Sequence, residues 1–193
     1  MPQLPPLTIF DVETTGLDPR LGHRIIEIAG IRLENGVLQT ETPFVSLVNP
    51  EREIPFEARR VNKISDEEVK SAPTIDIVLP QFLEFAKGSM LVAQNAQFDM
   101  SFLESEKQYC WGYTELPDCL CTMMLSRSLY PSDFRHSLDV LIQRFNLEMP
   151  ALRHRALADA LLAAQALQKM IEAGKITEFE ELQKRAGVKQ LAK

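Results

Sequence analysis

Two apolar, β-prone runs near the amino terminus constrain the fold most. Residues 7–13 read Leu-Thr-Ile-Phe-Asp-Val-Glu, and residues 24–33 read Arg-Ile-Ile-Glu-Ile-Ala-Gly-Ile-Arg-Leu. Both are too short for helices of this apolarity and too rich in β-branched residues for loops. Asn35-Gly36 follows the second run, and that dipeptide fits the positive φ angles of a tight hairpin turn. A third strand is expected over residues 37–49, interrupted near Pro43, so the first three strands form an antiparallel meander.

The first run ends in two acids. Strand side chains alternate faces, so Asp11 and Glu13 point the same way. Adjacent anions repel unless a cation lies between them. Mg²⁺ and Mn²⁺ suit hard carboxylate oxygens. Thr14, Thr15 and Gly16 come next and offer hydroxyls and backbone N–H groups to a ligand. The alternative is a strand end carrying two hydrated acids.

Further along, helices alternate with short strands. Residues 56–61 read as a short helix, and Ser65 with Glu68 has the spacing of a capping box. Thr74 is expected to cap a helix that contains Pro80, where a kink is expected. Residues 90–93 read as a central strand, 116–120 as another, and 137–145 as an amphipathic helix. Residues 156–173 form the longest helical run, closed by Gly174. The alternation gives an α/β mixed sheet with helices. The domain plan is a disordered tail over 1–6, one domain over 7–174 and a charged helical tail over 175–193.

Two more acids stand out. Asp99 lies just after the central strand, at the start of a helix. Alone it is a helix N-cap; with the first pair it would be a third ligand at the carboxyl end of a strand, where open α/β sheets place sites. Asp159 lies in an apolar helix among Leu157, Ala158, Ala160, Leu161 and Leu162. A charge there needs a partner or a metal. His154 is five residues earlier, about 140° around a helix, so both reach one point only if His154 sits on the loop before it. Such an imidazole is exposed and able to act as a base near neutral pH; the alternative is a surface histidine beside two arginines. His136 is expected to be structural.

Composition narrows the partners. Hydrophobic residues make up 45% of 193, charged residues 25%, and the net charge of −6 argues against broad wrapping of duplex DNA. Cations bound to carboxylates would still reverse the local sign. Cys110, Cys119 and Cys121 read as buried free thiols. The opening Met-Pro-Gln-Leu-Pro-Pro has neither a basic nor an apolar region, and no run reaches membrane-spanning length, so the expected location is cytoplasmic, with no membrane partner.

Three segments together carry a resemblance: Phe-Asp-Val-Glu-Thr-Thr-Gly-Leu at 10–17, Asn-Ala-Gln-Phe-Asp-Met-Ser-Phe-Leu at 95–103, and His-Arg-Ala-Leu-Ala-Asp-Ala at 154–160. Their order and spacing resemble the DEDDh 3′→5′ exonucleases, the group of the DNA polymerase III epsilon subunit, the PolC exonuclease domain and RNase T. The resemblance implies a ribonuclease-H-like fold with a five-stranded mixed sheet. It also implies that Asp11, Glu13, Asp99 and Asp159 hold two divalent cations, Mg²⁺ or Mn²⁺, and that His154 is the base. Thr14, Thr15, Leu17, Asn95 and Phe98 would contact the substrate. The implied reaction releases nucleoside 5′-monophosphates from single-stranded DNA 3′ ends, in proofreading or repair. An RNase T-type exoribonuclease and a non-catalytic nucleic-acid-binding subunit are the alternatives. A DNA polymerase or a second copy of the chain are the implied protein partners. Gln94, Asn62 and Cys121 depart from the family pattern, which has His, a His-Gly pair and Asp there.

Overall fold

The computed structural model describes residues 4–111, 115–150 and 154–187. Its strands are β1 (Leu7–Thr14), β2 (Ile25–Glu34), β3 (Val37–Leu38), β4 (Phe44–Leu47), β5 (Met90–Ala93) and β6 (Cys119–Cys121). The helices are α1 (Phe56–Asn62), α2 (Asp66–Lys70), α3 (Ile75–Phe85), α4 (Ala96–Glu106), α5 (Thr122–Leu129), α6 (Leu138–Phe145), α7 (Ala156–Ala173) and α8 (Phe179–Ala186).

The sheet runs β3-β2-β1-β5-β6, with β4 also paired to β2. β1 to β4 are antiparallel neighbours, while β1–β5 and β5–β6 are parallel. Among the described residues the expected five strands are therefore six, filling five positions. The third strand is split: β3 pairs with Leu33 and Glu34, and β4 pairs with Glu27 to Gly30. Pro43 stands between the two pieces and has no N–H to give to a ladder.

Alternation along β1 sorts its side chains between two cores. Leu7 and Ile9 face a layer built from α5 to α8, with Ile31, Leu33, Leu125, Leu141, Leu162, Leu167 and Leu182. Phe10 and Val12 face α3 and α4, with Val78, Phe82, Phe102 and Leu103. Asp11 and Glu13 continue the Leu7/Ile9 series, which turns them toward α7. In β2, Glu27 continues the Ile31/Leu33 series in the same sense. The faces of two strands thus change from apolar to acidic at one end of the sheet.

The capping box at Ser65 and Glu68 is formed in both directions. Thr74 stands at the N-cap of α3 but makes no capping bond with its side chain, and α3 continues through Pro80. All three cysteines are buried and free. His136 is buried between the Ser126 hydroxyl, 2.8 Å from Nδ1, and the Asp133 carbonyl, 3.0 Å from Nε2, a structural role.

Both expected tails contribute to the packed structure. Leu4 joins the α5–α8 core, and the Pro6 carbonyl accepts the N–H of Met90 at 3.0 Å. α8 buries Leu182 and Ala186, and Gly187 bridges to Leu120 of β6. Residues 1–3 and 188–193 of those tails lie outside the described residues.

Candidate active site

Asp11 and Glu13 come from the last turns of the β1 pleat, and Asp159 comes from the first turn of α7, which lies over β1 and β2. One carboxylate oxygen from each lies within 4.8 Å of the other two. Repulsion of this kind leaves a chemical signature. Burial, then the charges of Asp99, Glu13, Asp159 and Glu27, hold the Asp11 carboxyl well above the usual carboxylate range. Burial is also the main cause for Glu13, followed by Asp159 and Glu27; together they push it up to about 8, against the pull of Arg155. A hard divalent cation would relieve that strain, and three carboxylates are the donors it prefers.

Asp99 occupies a different position. It is buried, and its Oδ1 accepts the N–H of Val12 at 3.3 Å. The reason lies in the sheet. The β1–β5 ladder ends at Ile9–Val92, so the N–H of Val12 lies beyond it. Asp99 enters from α4, on the opposite layer from α7, and its carboxylate fills that gap. It stands next to Asp11 but outside the 4.8 Å group of Asp11, Glu13 and Asp159. Its own pKa is also driven upward by burial. It is not the helix N-cap: Asn95 is, with φ +58, and Asp99 lies one turn inside.

His154 is exposed, on the loop two residues before α7, with φ +59. This is the off-helix placement that sharing one point with Asp159 would require.

The turn after β1 differs from a row of free hydroxyls. Thr14 Oγ1 donates to the Gly16 carbonyl at 2.6 Å. Thr15 Oγ1 accepts the Arg24 N–H at 2.9 Å and sits 3.2 Å from His23 Nδ1. Both threonines are buried. The His23 ring passes so close that a Cβ on Gly16 would lie 2.3 Å from it, which explains glycine there. Leu17, 85% exposed, is what this turn offers to solvent. Asn95 is exposed, and Phe98 is half-buried with its ring 5.0 Å from that of Phe102.

The departures from the family pattern have structural roles. Gln94 donates to the His136 carbonyl at 2.9 Å and accepts the Thr122 hydroxyl at 2.5 Å, joining β5 to α5 and the loop before α6. Asn62 is buried, accepts the Ile64 N–H at 3.0 Å and reaches the Thr14 carbonyl at 3.5 Å. It ties α1 to the end of β1. Lys63 then adopts φ +61, a conformation suited to glycine. Cys121 is buried at the end of β6.

Sequence reasoning missed two ion pairs. Glu27, buried on β2 opposite Glu13, is gripped by Arg155 with contacts of 2.6 to 3.2 Å. Glu106, buried at the end of α4, receives Arg24 at 3.0 Å and the N–H of Ile25 at 3.0 Å. The signal for Glu27 was present: one acid inside an otherwise apolar strand.

The family model described as Exonuclease, RNase_T, matches residues 8–167. The DNA polymerase III subunit epsilon of Rickettsia conorii is 39% identical over 189 residues, spanning 95% of this chain and 81% of that protein. A PolC-type DNA polymerase III of Caldanaerobacter subterraneus is 40% identical over 164 residues, 85% of this chain but 11% of that protein. Among solved structures, Exonuclease X in complex with 5′ overhanging duplex DNA superposes with a TM-score of 0.74 at 29% identity, covering 93% of this chain and 97% of its own. The nuclease domain of 3′hExo, a DEDDh family member bound to rAMP, gives 0.78 at 20% identity over 90% and 94%, a likeness of fold. The chain belongs to the RNase T exonuclease family: it is a 3′→5′ exonuclease of the DEDDh type, a class that works with divalent cations.

Proposed function

We propose that this exonuclease removes nucleotides from single-stranded DNA 3′ ends with two Mg²⁺ or Mn²⁺ ions, in proofreading or repair. The observation that carries the reading is the meeting of Asp11, Glu13 and Asp159 within 4.8 Å, from two elements nearly 150 residues apart in sequence. These three hold the cations, and Asp99 completes the acidic set beside Asp11. When bound, the cations supply Lewis acidity at the phosphate and lower the pKa of water.

The chain's own residues supply the rest. His154 accepts a proton from the attacking water, a task suited to an exposed imidazole on a loop. Attack at the terminal phosphorus breaks the P–O3′ bond and leaves a nucleoside 5′-monophosphate and a shortened strand. Leu17 packs against the terminal base, while the turn of Thr14, Thr15 and Gly16 fixes the backbone beneath it. Asn95 and Phe98 border the other side. With a net charge of −6, the grip is short and local to the cations.

The partner reading is a DNA polymerase, supported by the epsilon subunit of Rickettsia conorii, whose similarity spans 95% of this chain. Among the described residues no helix is long and apolar enough to cross a membrane. We place the enzyme in the cytoplasm. The test uses end-labelled DNA and RNA oligomers of one sequence, with Mg²⁺, Mn²⁺ or EDTA. Faster stepwise loss from DNA 3′ ends with either cation is expected. Faster digestion of RNA would move the enzyme to the RNase T-type reading.

A further inference from the structure

Glu27 sits among the acids of the site, yet both of its oxygens serve the protein. It is 2% exposed and lies directly across the ladder from Glu13. Oε1 accepts Arg155 Nη2 at 2.6 Å and Nε at 3.2 Å. Oε2 accepts Arg155 Nε at 3.1 Å and the N–H of Ala156 at 2.9 Å. A fourth carboxylate beside three others is costly, and a buried acid with this surrounding is tolerated only when paired.

The partners define what the pairing does. Ala156 is the first residue of α7, and its N–H has no acceptor within the helix. Arg155, at the N-cap position, gives α7 no side-chain cap of its own. Glu27 therefore caps α7 from the sheet, as an anion at the positive end of the helix. Arg155 is also the residue next to His154, and its carbonyl accepts the N–H of Asp159 at 3.1 Å. One side chain on β2 thus holds the backbone that carries both His154 and Asp159.

We propose that Glu27 and Arg155 form a latch that sets the distance between α7 and β1, and so positions His154 and Asp159 against Asp11 and Glu13. Glu27 is a positioning residue, and the assignment rests on the nuclease reading of the site. Bidentate geometry is essential to it, because a fork-shaped contact fixes orientation where a point charge does not.

The test uses Glu27→Gln, Arg155→Lys, Arg155→Gln and the Glu27→Gln/Arg155→Gln pair in the full chain. Readouts are kcat and KM on a labelled single-stranded DNA oligomer, Mn²⁺ affinity by calorimetry, and Tm. Each single variant is expected to lose about 10- to 100-fold in kcat and to weaken Mn²⁺ binding about 10-fold, while KM changes little. The double variant is expected to be no worse than the poorer single, because both changes break one contact. Arg155→Lys keeps the charge and loses the fork, so it should fall with the others.

An Arg155→Lys enzyme with full kcat would overturn the latch, as would defects confined to Tm. Should Glu27→Gln fail to fold, the Arg155 variants carry the test, because that side chain is 30% exposed. If the unaltered protein digests the oligomer and all variants match it, the latch fails and the nuclease reading stands. If the unaltered protein digests nothing but the variants still weaken Mn²⁺ binding, the nuclease reading fails and the latch stands.

Discussion

Metal-free protein should lose stability as pH rises from about 5 to 8, and replacing Asp11 by Asn should remove the share of that loss that Asp11 itself contributes. Glu13 titrates near 8 in the folded chain, against an ordinary value of 4.5. Between those values the folded state keeps a proton that the unfolded state has released. Stability therefore falls as pH increases through that window. A perturbation of this size corresponds at most to on the order of 5 kcal/mol, and partial solvent access to Glu13 reduces it to roughly 2 kcal/mol. Asp11, held up by burial and by Asp99, Glu13 and Asp159, adds in the same direction. For a chain of this length, about 2 kcal/mol moves Tm by roughly 4–8 °C. The assay is thermal unfolding in EDTA at pH 5, 6, 7 and 8. The Asp11→Asn variant, isosteric and uncharged, should be more stable than the parent at pH 8 and nearly equal at pH 5. Added Mn²⁺ at about 100 times its Kd should raise the parent at pH 8 by about 2.7 kcal/mol. A metal-free Tm that is flat or rising from pH 5 to 8, with Asp11→Asn no more stable at pH 8, would refute the reasoning.

Other perturbations separate the roles of the parts. His154→Ala should lower kcat about 10²- to 10⁴-fold while leaving Mn²⁺ affinity within experimental error, since the imidazole acts on water; calorimetry beside single-turnover kinetics checks both. Leu17→Ala should raise KM for an oligomer several-fold with Tm unchanged, because the side chain is 85% exposed and packs on no core; steady-state kinetics decides it. Lys63→Gly should stabilise the protein by about 0.5–1 kcal/mol in urea unfolding, because its φ of +61 closes α1 in a conformation that costs a side chain strain.

How far the sequence could be read depended on whether its signals were local. The Asp11/Glu13 pair was legible because period-two alternation is a property of one strand. Helical rotation set only a condition for His154, that it leave the helix if it is to share one point with Asp159, and it does lie on the loop before α7. The split of the third strand was only half legible: Pro43 marked the break, but that both pieces would pair with β2 depends on the reach of the intervening loop. Thr14 and Thr15 looked like donors to a ligand, yet their hydroxyls are engaged by Gly16, Arg24 and the His23 neighbourhood. Turn residues satisfy the turn first, because a buried hydroxyl without a partner is costly.

Asp159 and Glu27 pose the same question. Each is one acid in an apolar stretch, and the cost of burying such a charge does not depend on whether the stretch is helix or strand. Applied evenly, the rule that exposed Asp159 also marks Glu27 in Arg-Ile-Ile-Glu-Ile-Ala. What the rule cannot supply is the partner, and here the two acids part. Asp159 joins other carboxylates, a grouping whose mutual repulsion a cation would offset. Glu27 finds Arg155, so its compensation is internal. The alternating register puts Glu27 opposite Glu13, one rung from the acidic cluster. Without Arg155 it would be a fourth like charge in the same space. The pair therefore keeps an extra anion out of the acidic cluster while using its charge to fix α7, and this division of labour becomes visible only when β1, β2 and α7 are brought together.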